Sequence, residues 1–271
     1  MEYILNSLVA GILKIELNRP QKRNALTLDM YTQFADLLNW AQANPEIRVV
    51  LVSAAGDNYS AGNDLQDFLD HPPGSGDSPQ RQMIDALRVL DKPLVGAVRG
   101  AAVGSGATML TYFDFVYASQ NARFQYPFIN LALVPEFGTS FSLPDQVGYL
   151  CAAEIILLGH PFDAPTALNL GLVTKVLPDA EVLTTAEKIA QELAQKPSAS
   201  LKASKQLLRR QFRPRVEQAT QDEMVEFSER VRSADAREAV AAFLEKRPLD
   251  STPAKPPNVG TTLPPIGLDR R

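Results

Sequence analysis

Two long apolar runs in this chain each break at glycine. RVVLVSAAG (48–56) leads into YSAGNDL (59–65), and KPLVGAVRG (92–100) leads into AAVGSGATML (101–110). A continuous apolar run of this length reads as a strand buried on both faces. Glycines directly after such a strand let the backbone turn its N–H groups into a shared cleft. A chain with two such units needs a covered sheet with crossover helices, and the neighbouring segments supply them. TLDMYTQFADLLNWAQAN (27–44) offers Thr27 as an N-cap and places Leu28, Tyr31, Ala35 and Leu38 on one helical face. RQMIDALRVLD (81–91) reads as a second helix, GAAVGSGATMLTYFD (100–114) as a glycine-rich turn opening a helix, and DFVYAS (114–119) as a strand. Residues 2–18 read as a hairpin turning near Asn6 to Gly11. Strands and helices alternating at this spacing predict an α/β fold. The proline- and glycine-rich HPPGSGDSPQ (71–80) reads as a mobile loop.

From about residue 181 the pattern is helical only. Residues 196–215 carry seven basic residues and no acidic one, whereas 216–246 carry eight acidic and four basic. With a net charge of −4 over the whole chain, a solvated helix face or subunit contact is the better reading of that basic segment than a nucleic-acid surface. The last 22 residues hold five prolines and read as a flexible tail. The single cysteine, Cys151, excludes an intrachain disulfide and an all-cysteine metal site. His71 and His160 each precede a proline and lack metal-ligand spacing, so no metal is expected. MEYILNSLVAGILKIEL lacks the basic start and long apolar stretch of a signal peptide, and no transmembrane run exists; the expected location is cytoplasmic.

NRPQKRNAL (18–26), YSAGNDL (59–65), KPLVGAVRGAAVGSG (92–106), the Phe-Asp pair at 113–114 and LGHPFDAPTALNLGLVTKV (158–176) together resemble the crotonase, or enoyl-CoA hydratase/isomerase, superfamily over residues 3–250. The resemblance implies an α/β spiral of ββα units with a helical C-terminal trimerisation region. It divides the chain into a core with an acyl-CoA site (1–195), helices (196–249) and a tail (250–271). It further implies an acyl-CoA thioester as substrate, with coenzyme A part of that substrate and no cofactor. Assembly as a homotrimer or dimer of trimers follows from it; from the net charge and the lack of a long apolar run, no nucleic-acid or membrane partner is expected. Two backbone N–H groups, those of Asn63 and Ser105, are expected at the thioester oxygen. Arg23, Ala25, Ala61, Asp64, Leu65, Phe128 and Phe137 are expected at the substrate.

The reaction turns on carboxylates. The two glutamates of the family's hydratases correspond to Thr108 and Phe128 here, and neither side chain can handle a proton at useful pKa. ALVPEFGTSFSLP (132–144), by contrast, has one charged residue, Glu136. Its position resembles that of the single catalytic glutamate of Δ3,Δ2-enoyl-CoA isomerases, except that bulky Phe137 follows where a small residue is usual. Burial among Leu133, Val134, Phe128 and Phe137 would raise its pKa toward a value suited to a base that must also act as an acid. The same enolate could serve a thioesterase, a decarboxylase, or a divergent hydratase or lyase. A non-catalytic acyl-CoA binder is the other alternative, as is an RNA binder using Arg209, Arg210 and Arg213.

Overall fold

The computed structural model describes residues 2–70 and 78–248, leaving out the side chains of residues 68 and 69. Of the expected mobile loop at 71–80, residues 71–77 lie outside the described residues, as does the tail at 250–271, whereas residues 78–80 form the start of a helix. Strands β1 (Ile4–Val9) and β2 (Ile12–Leu17) form the hairpin, turned by Ala10 and Gly11, both at positive φ. The turn is later and tighter than the sequence suggested, since Asn6 to Val9 belong to the strand. Helix α1 (Leu28–Ala43) follows, with Thr27 Oγ1 accepting from the Met30 N–H as its cap. β3 (Val49–Ala54) pairs parallel with β2, and a short helix α2 (Leu65–Asp70) closes the first unit.

Helix α3 (Pro79–Val89) starts earlier than expected, because Ser78 caps it and Pro79 suits its first turn. β4 (Leu94–Val98) pairs parallel with β3. The segment read as a glycine turn opening a helix divides instead into β5 (Ala101–Val103), a one-turn helix α4 (Ser105–Thr108) and a 3₁₀ turn over Met109–Tyr112. The chain must leave helical geometry by Phe113, because the Asp114 N–H pairs with the Leu94 carbonyl and its Oδ2 accepts from the Leu94 N–H. β6 (Phe115–Ser119) and β7 (Arg123–Gln125) come next, then α5 (Thr139–Val147), α6 (Tyr149–Leu158), β8 (Phe162–Asp163), α7 (Ala164–Asn169) and β9 (Lys175–Leu177). Four helices end the described chain: α8 (Asp179–Gln195), α9 (Ser198–Leu208), α10 (Phe212–Arg230) and α11 (Ala234–Glu245).

The main sheet runs β1-β2-β3-β4-β6-β9, parallel after the hairpin, and a second sheet runs β5-β7-β8. Alternation along the strands sorts the core. Leu13, Ile15, Val50, Val52 and Val98 meet α1 and α3, while Ile12, Val49, Leu51, Val95 and Ala97 meet α8. That double cover explains why these strands read as unbroken apolar runs. Val182, Ala186, Ala190 and Ala194 repeat every fourth residue and keep α8 close to the sheet. The basic segment is stitched inward. Lys205 Nζ donates to the Lys92 carbonyl and Asp114, Arg209 to the Tyr112 carbonyl, and Arg213 to Asp91, which removes two of the three arginines from any RNA surface. Among the described residues no helix is long and apolar enough to cross a membrane.

Candidate active site

The two glycine turns lie against each other. The Ser60 N–H donates to the Ala101 carbonyl and the Val103 N–H to the Ser60 carbonyl, so the first turn adds itself to the edge of β5. The Leu26 N–H donates to Gly62 and the Asp64 N–H to Leu26, a bridge that ties the segment after Arg23 to the same turn. Gly62 sits at φ 87°, and a Cβ there would stand 2.7 Å from the Val103 carbonyl oxygen and 3.5 Å from the Gly104 Cα. Only glycine permits that approach. These bonds engage the neighbouring groups but take neither the N–H of Asn63 nor that of Ser105, the first residue of α4. Two N–H groups without a partner among the described residues therefore sit on touching turns.

Glu136 follows on the loop into α5, where Phe137 (φ 62°) and Gly138 (φ 67°) are both left-handed. The glutamate as a residue is only half-buried, but its Oε1 is fully enclosed and has no hydrogen-bond partner. Burial pushes its pKa up to about 8; a hydrogen bond from the Asn63 side chain pulls the other way, and the charge of Glu223 adds to the rise. Asn63 is held in turn by Tyr31, whose hydroxyl donates to Asn63 Oδ1 at 2.5 Å. Burial, then the charge of Glu136, drive the Tyr31 phenol far above its ordinary pKa, so it remains a donor. A small cavity of about 40 Å³ beside Glu136 is walled by Phe137, Ile84, Met224, Thr220 and Glu223.

The sequence-derived residues separate here. Glu136, Asn63 and Phe137 come together: Phe137 is buried, its ring 6.4 Å from that of Tyr31, and its carbonyl accepts from the Tyr112 hydroxyl. Ser105 and Ala61 belong to the two turns, and the Ala61 N–H donates to the Arg23 carbonyl. Arg23 is exposed and left-handed, Ala25 is buried with its carbonyl accepting from Arg19, and Leu65 begins α2 half-buried. Asp64 is otherwise engaged. Its carboxylate pairs with Arg19 at 2.5 Å and accepts the N–H groups of Gln66 and Asp67. Burial works against its ionisation, yet these partners hold its pKa below the usual value. Phe128 and Leu133 are buried together with Ala107, Leu143 and Ile155. The cavity beside Glu136 is walled by side chains of α3 and α10, across the fold, together with Phe137. Thr108 is fully buried with its hydroxyl unpartnered. Tyr59 and Tyr126 are core residues, the first bonding Met109 Sδ and the second stacking on Phe162.

Tyr31 and Glu223 did not emerge from the sequence as site residues. A tyrosine on an apolar helical stripe reads as core, and its one signal is a hydroxyl that burial obliges to find a partner. Glu223 is one of eight acids in its segment. Among the described residues no cluster of His, Cys, Asp and Glu is placed to hold a metal ion.

Covered parallel strands, paired glycine turns and an enclosed carboxylate define an α/β protein of the crotonase type. Residues 8–252 match the family "Enoyl-CoA hydratase/isomerase", and the chain belongs to that family. A solved enoyl-CoA hydratase/isomerase from Pseudoalteromonas atlantica T6c superposes with a TM-score of 0.87 at 40% identity, covering 92% of this chain and 99% of that one. "Enoyl-CoA delta isomerase 2" of Rattus norvegicus is 33% identical over 251 residues, 90% of this chain; the chain spans 64% of that relative's length. "Short-chain-enoyl-CoA hydratase" of Clostridium acetobutylicum is 30% identical, covering 87% of this chain and 92% of that one. Isomerases and hydratases are thus related to it at similar distances.

Proposed function

We propose that the protein is an acyl-CoA isomerase that moves a 3-enoyl-CoA double bond to the 2-position, with Glu136 as the single acid/base. The observation that carries this reading is the enclosed, unpartnered carboxyl oxygen of Glu136 in a site where Thr108 and Phe128 stand at the positions of the two glutamates a hydratase would use. The C2 proton of a 3-enoyl thioester passes to the Glu136 carboxylate. The electron pair left behind delocalises through the alkene onto the thioester oxygen as a dienolate. The N–H groups of Asn63 and Ser105, without a partner among the described residues, would stabilise that charge as it develops, a contribution typically of about 10²–10³ in rate per donor. The same proton then returns at C4, and the double bond closes between C2 and C3. Nothing is oxidised or reduced, and the carboxylate is regenerated.

A group that both takes and returns a proton works best with a pKa near the operating pH, and burial of Glu136 supplies such a value, about 8. The base must be ionised in the free enzyme, so kcat/KM should rise with pH and level off above about 8. Conversion of cis- and trans-3-enoyl-CoA by the wild type and by Glu136→Gln, with hydration of 2-enoyl-CoA as a control, tests the reading. Isomerisation that falls by about 10³-fold or more in Glu136→Gln, with ligand binding intact, is expected. No turnover of any 3-enoyl-CoA by the wild type would overturn it and send the enolate to another fate. A homotrimer belongs to this proposal: Leu150 and Leu208 are 82% and 85% exposed, leaving apolar surface for a partner copy. A monomer in sedimentation velocity would exclude that part.

A further inference from the structure

Glu223 stands out among buried groups that the proposed chemistry does not use. It lies on α10, more than eighty residues from Glu136, yet it reaches the backbone just beyond that residue. Oε2 accepts from the Gly138 N–H at 2.7 Å and Oε1 from the Ser140 N–H at 2.6 Å. Helix α5 has glycine at its N-cap and no side-chain cap of its own, so the two oxygens of Glu223 satisfy N–H groups that would otherwise be orphaned there. The same carboxylate walls the small cavity beside Glu136.

We propose that Glu223 is a positioning residue of this site: its carboxylate clamps the left-handed backbone that carries Glu136 and couples electrostatically to the Glu136 carboxyl. This rests on the acid/base reading of Glu136. Clamp and coupling have one cause. Two N–H groups and the α5 N-terminus stabilise charge on Glu223, while burial opposes it and pushes its pKa up to about 7. A carboxylate at this place makes a second negative charge on Glu136 harder to create. The other charged groups nearby are committed elsewhere. Arg81 and Arg88 on α3 pair with Asp85 on the same helix and with Glu217 on α10. Asp222 on α10 adds further negative charge near Glu223. Tyr112 and Tyr31 are held neutral by burial, and Arg209 binds backbone carbonyls at Tyr112 and Phe113. No cation among these stands free to cancel the pair.

The test follows the pH profile. Glu223→Gln should move the acid limb of kcat/KM to lower pH by about half a unit or more, because Glu136 then ionises against one charge fewer. Glu223→Asp keeps the charge, so its limb should stay near that of the wild type even where kcat falls. A residue that only caps α5 would lower stability and kcat in Glu223→Gln and leave the limb in place, and that result overturns the coupling. If the wild type turns over no 3-enoyl-CoA, the isomerase reading fails separately, and ¹³C-carboxyl NMR titration of Glu136 still reads the interaction. The wild-type curve should be biphasic, with a step where Glu223 titrates. A single-site curve would refute the coupling, whether or not Glu223→Gln folds.

Discussion

At residue scale the site is a chain of hydrogen bonds that ends on one carboxyl group. Tyr31 donates to Asn63 Oδ1, which leaves the amide N–H₂ as the donor available to Glu136, an interaction that favours its ionised form. Tyr31→Phe removes the donor and leaves a buried acceptor unsatisfied, which should cost about 1–3 kcal/mol of stability in denaturant titration. The amide would also lose its fixed orientation, and with it the bond that favours ionised Glu136. The acid limb of kcat/KM should therefore move to higher pH in Tyr31→Phe, opposite to the shift expected for Glu223→Gln. An unshifted limb would mean that Asn63 is oriented without Tyr31. Glu136 itself was legible in the sequence, since a lone charge in ALVPEFGTSFSLP is conspicuous. Tyr31 and Glu223 were not, because each acquires its role from a residue on a distant segment.

At the scale of elements the determining contact is between the two glycine turns. Their strands were legible because apolar runs covered on both faces leave no polar alternation to confuse with a helix. The glycines marked the turns for a steric reason that the structure makes specific. Gly62→Ala would place a methyl group 2.7 Å from the Val103 carbonyl oxygen in a backbone at φ 87°. Relief requires the turns to separate, carrying the Asn63 and Ser105 N–H groups apart. The expected outcome is a stability loss of about 2 kcal/mol or more, together with a fall in kcat larger than the change in KM. Unchanged kcat with reduced stability would show that the two N–H groups need not keep this spacing. What the sequence concealed at this scale was the shortness of α4 and the early start of α3. The first depends on Asp114 pairing with Leu94, and the second on Ser78 and Pro79 acting as a helix start inside an apparently loop-like segment.

At the scale of the whole molecule, an acid/base of this kind sets activity against stability. The fold was readable from patterning, and so was the burial of Glu136 beside Phe137, but the cavity walls that α3 and α10 place next to it were not, because those helices are far apart in sequence. In the unfolded chain a glutamate titrates near its ordinary 4.5, whereas in the fold Glu136 keeps its proton up to about 8. Between those values the folded state binds more protons than the unfolded one, so this residue's contribution to stability declines as pH rises from 4.5 to about 8. The cost is complete above that range and absent below it. Glu136→Gln carries no such penalty, since an amide is neutral in both states. The variant should match the wild type in stability near pH 4.5, pull ahead through neutral pH, and stay ahead above about 8 by on the order of a few kcal/mol. Thermal unfolding of both proteins across this range measures the difference directly. A constant difference at all pH values would mean that Glu136 is not buried as an ionisable group, and would remove the physical basis for its poised pKa.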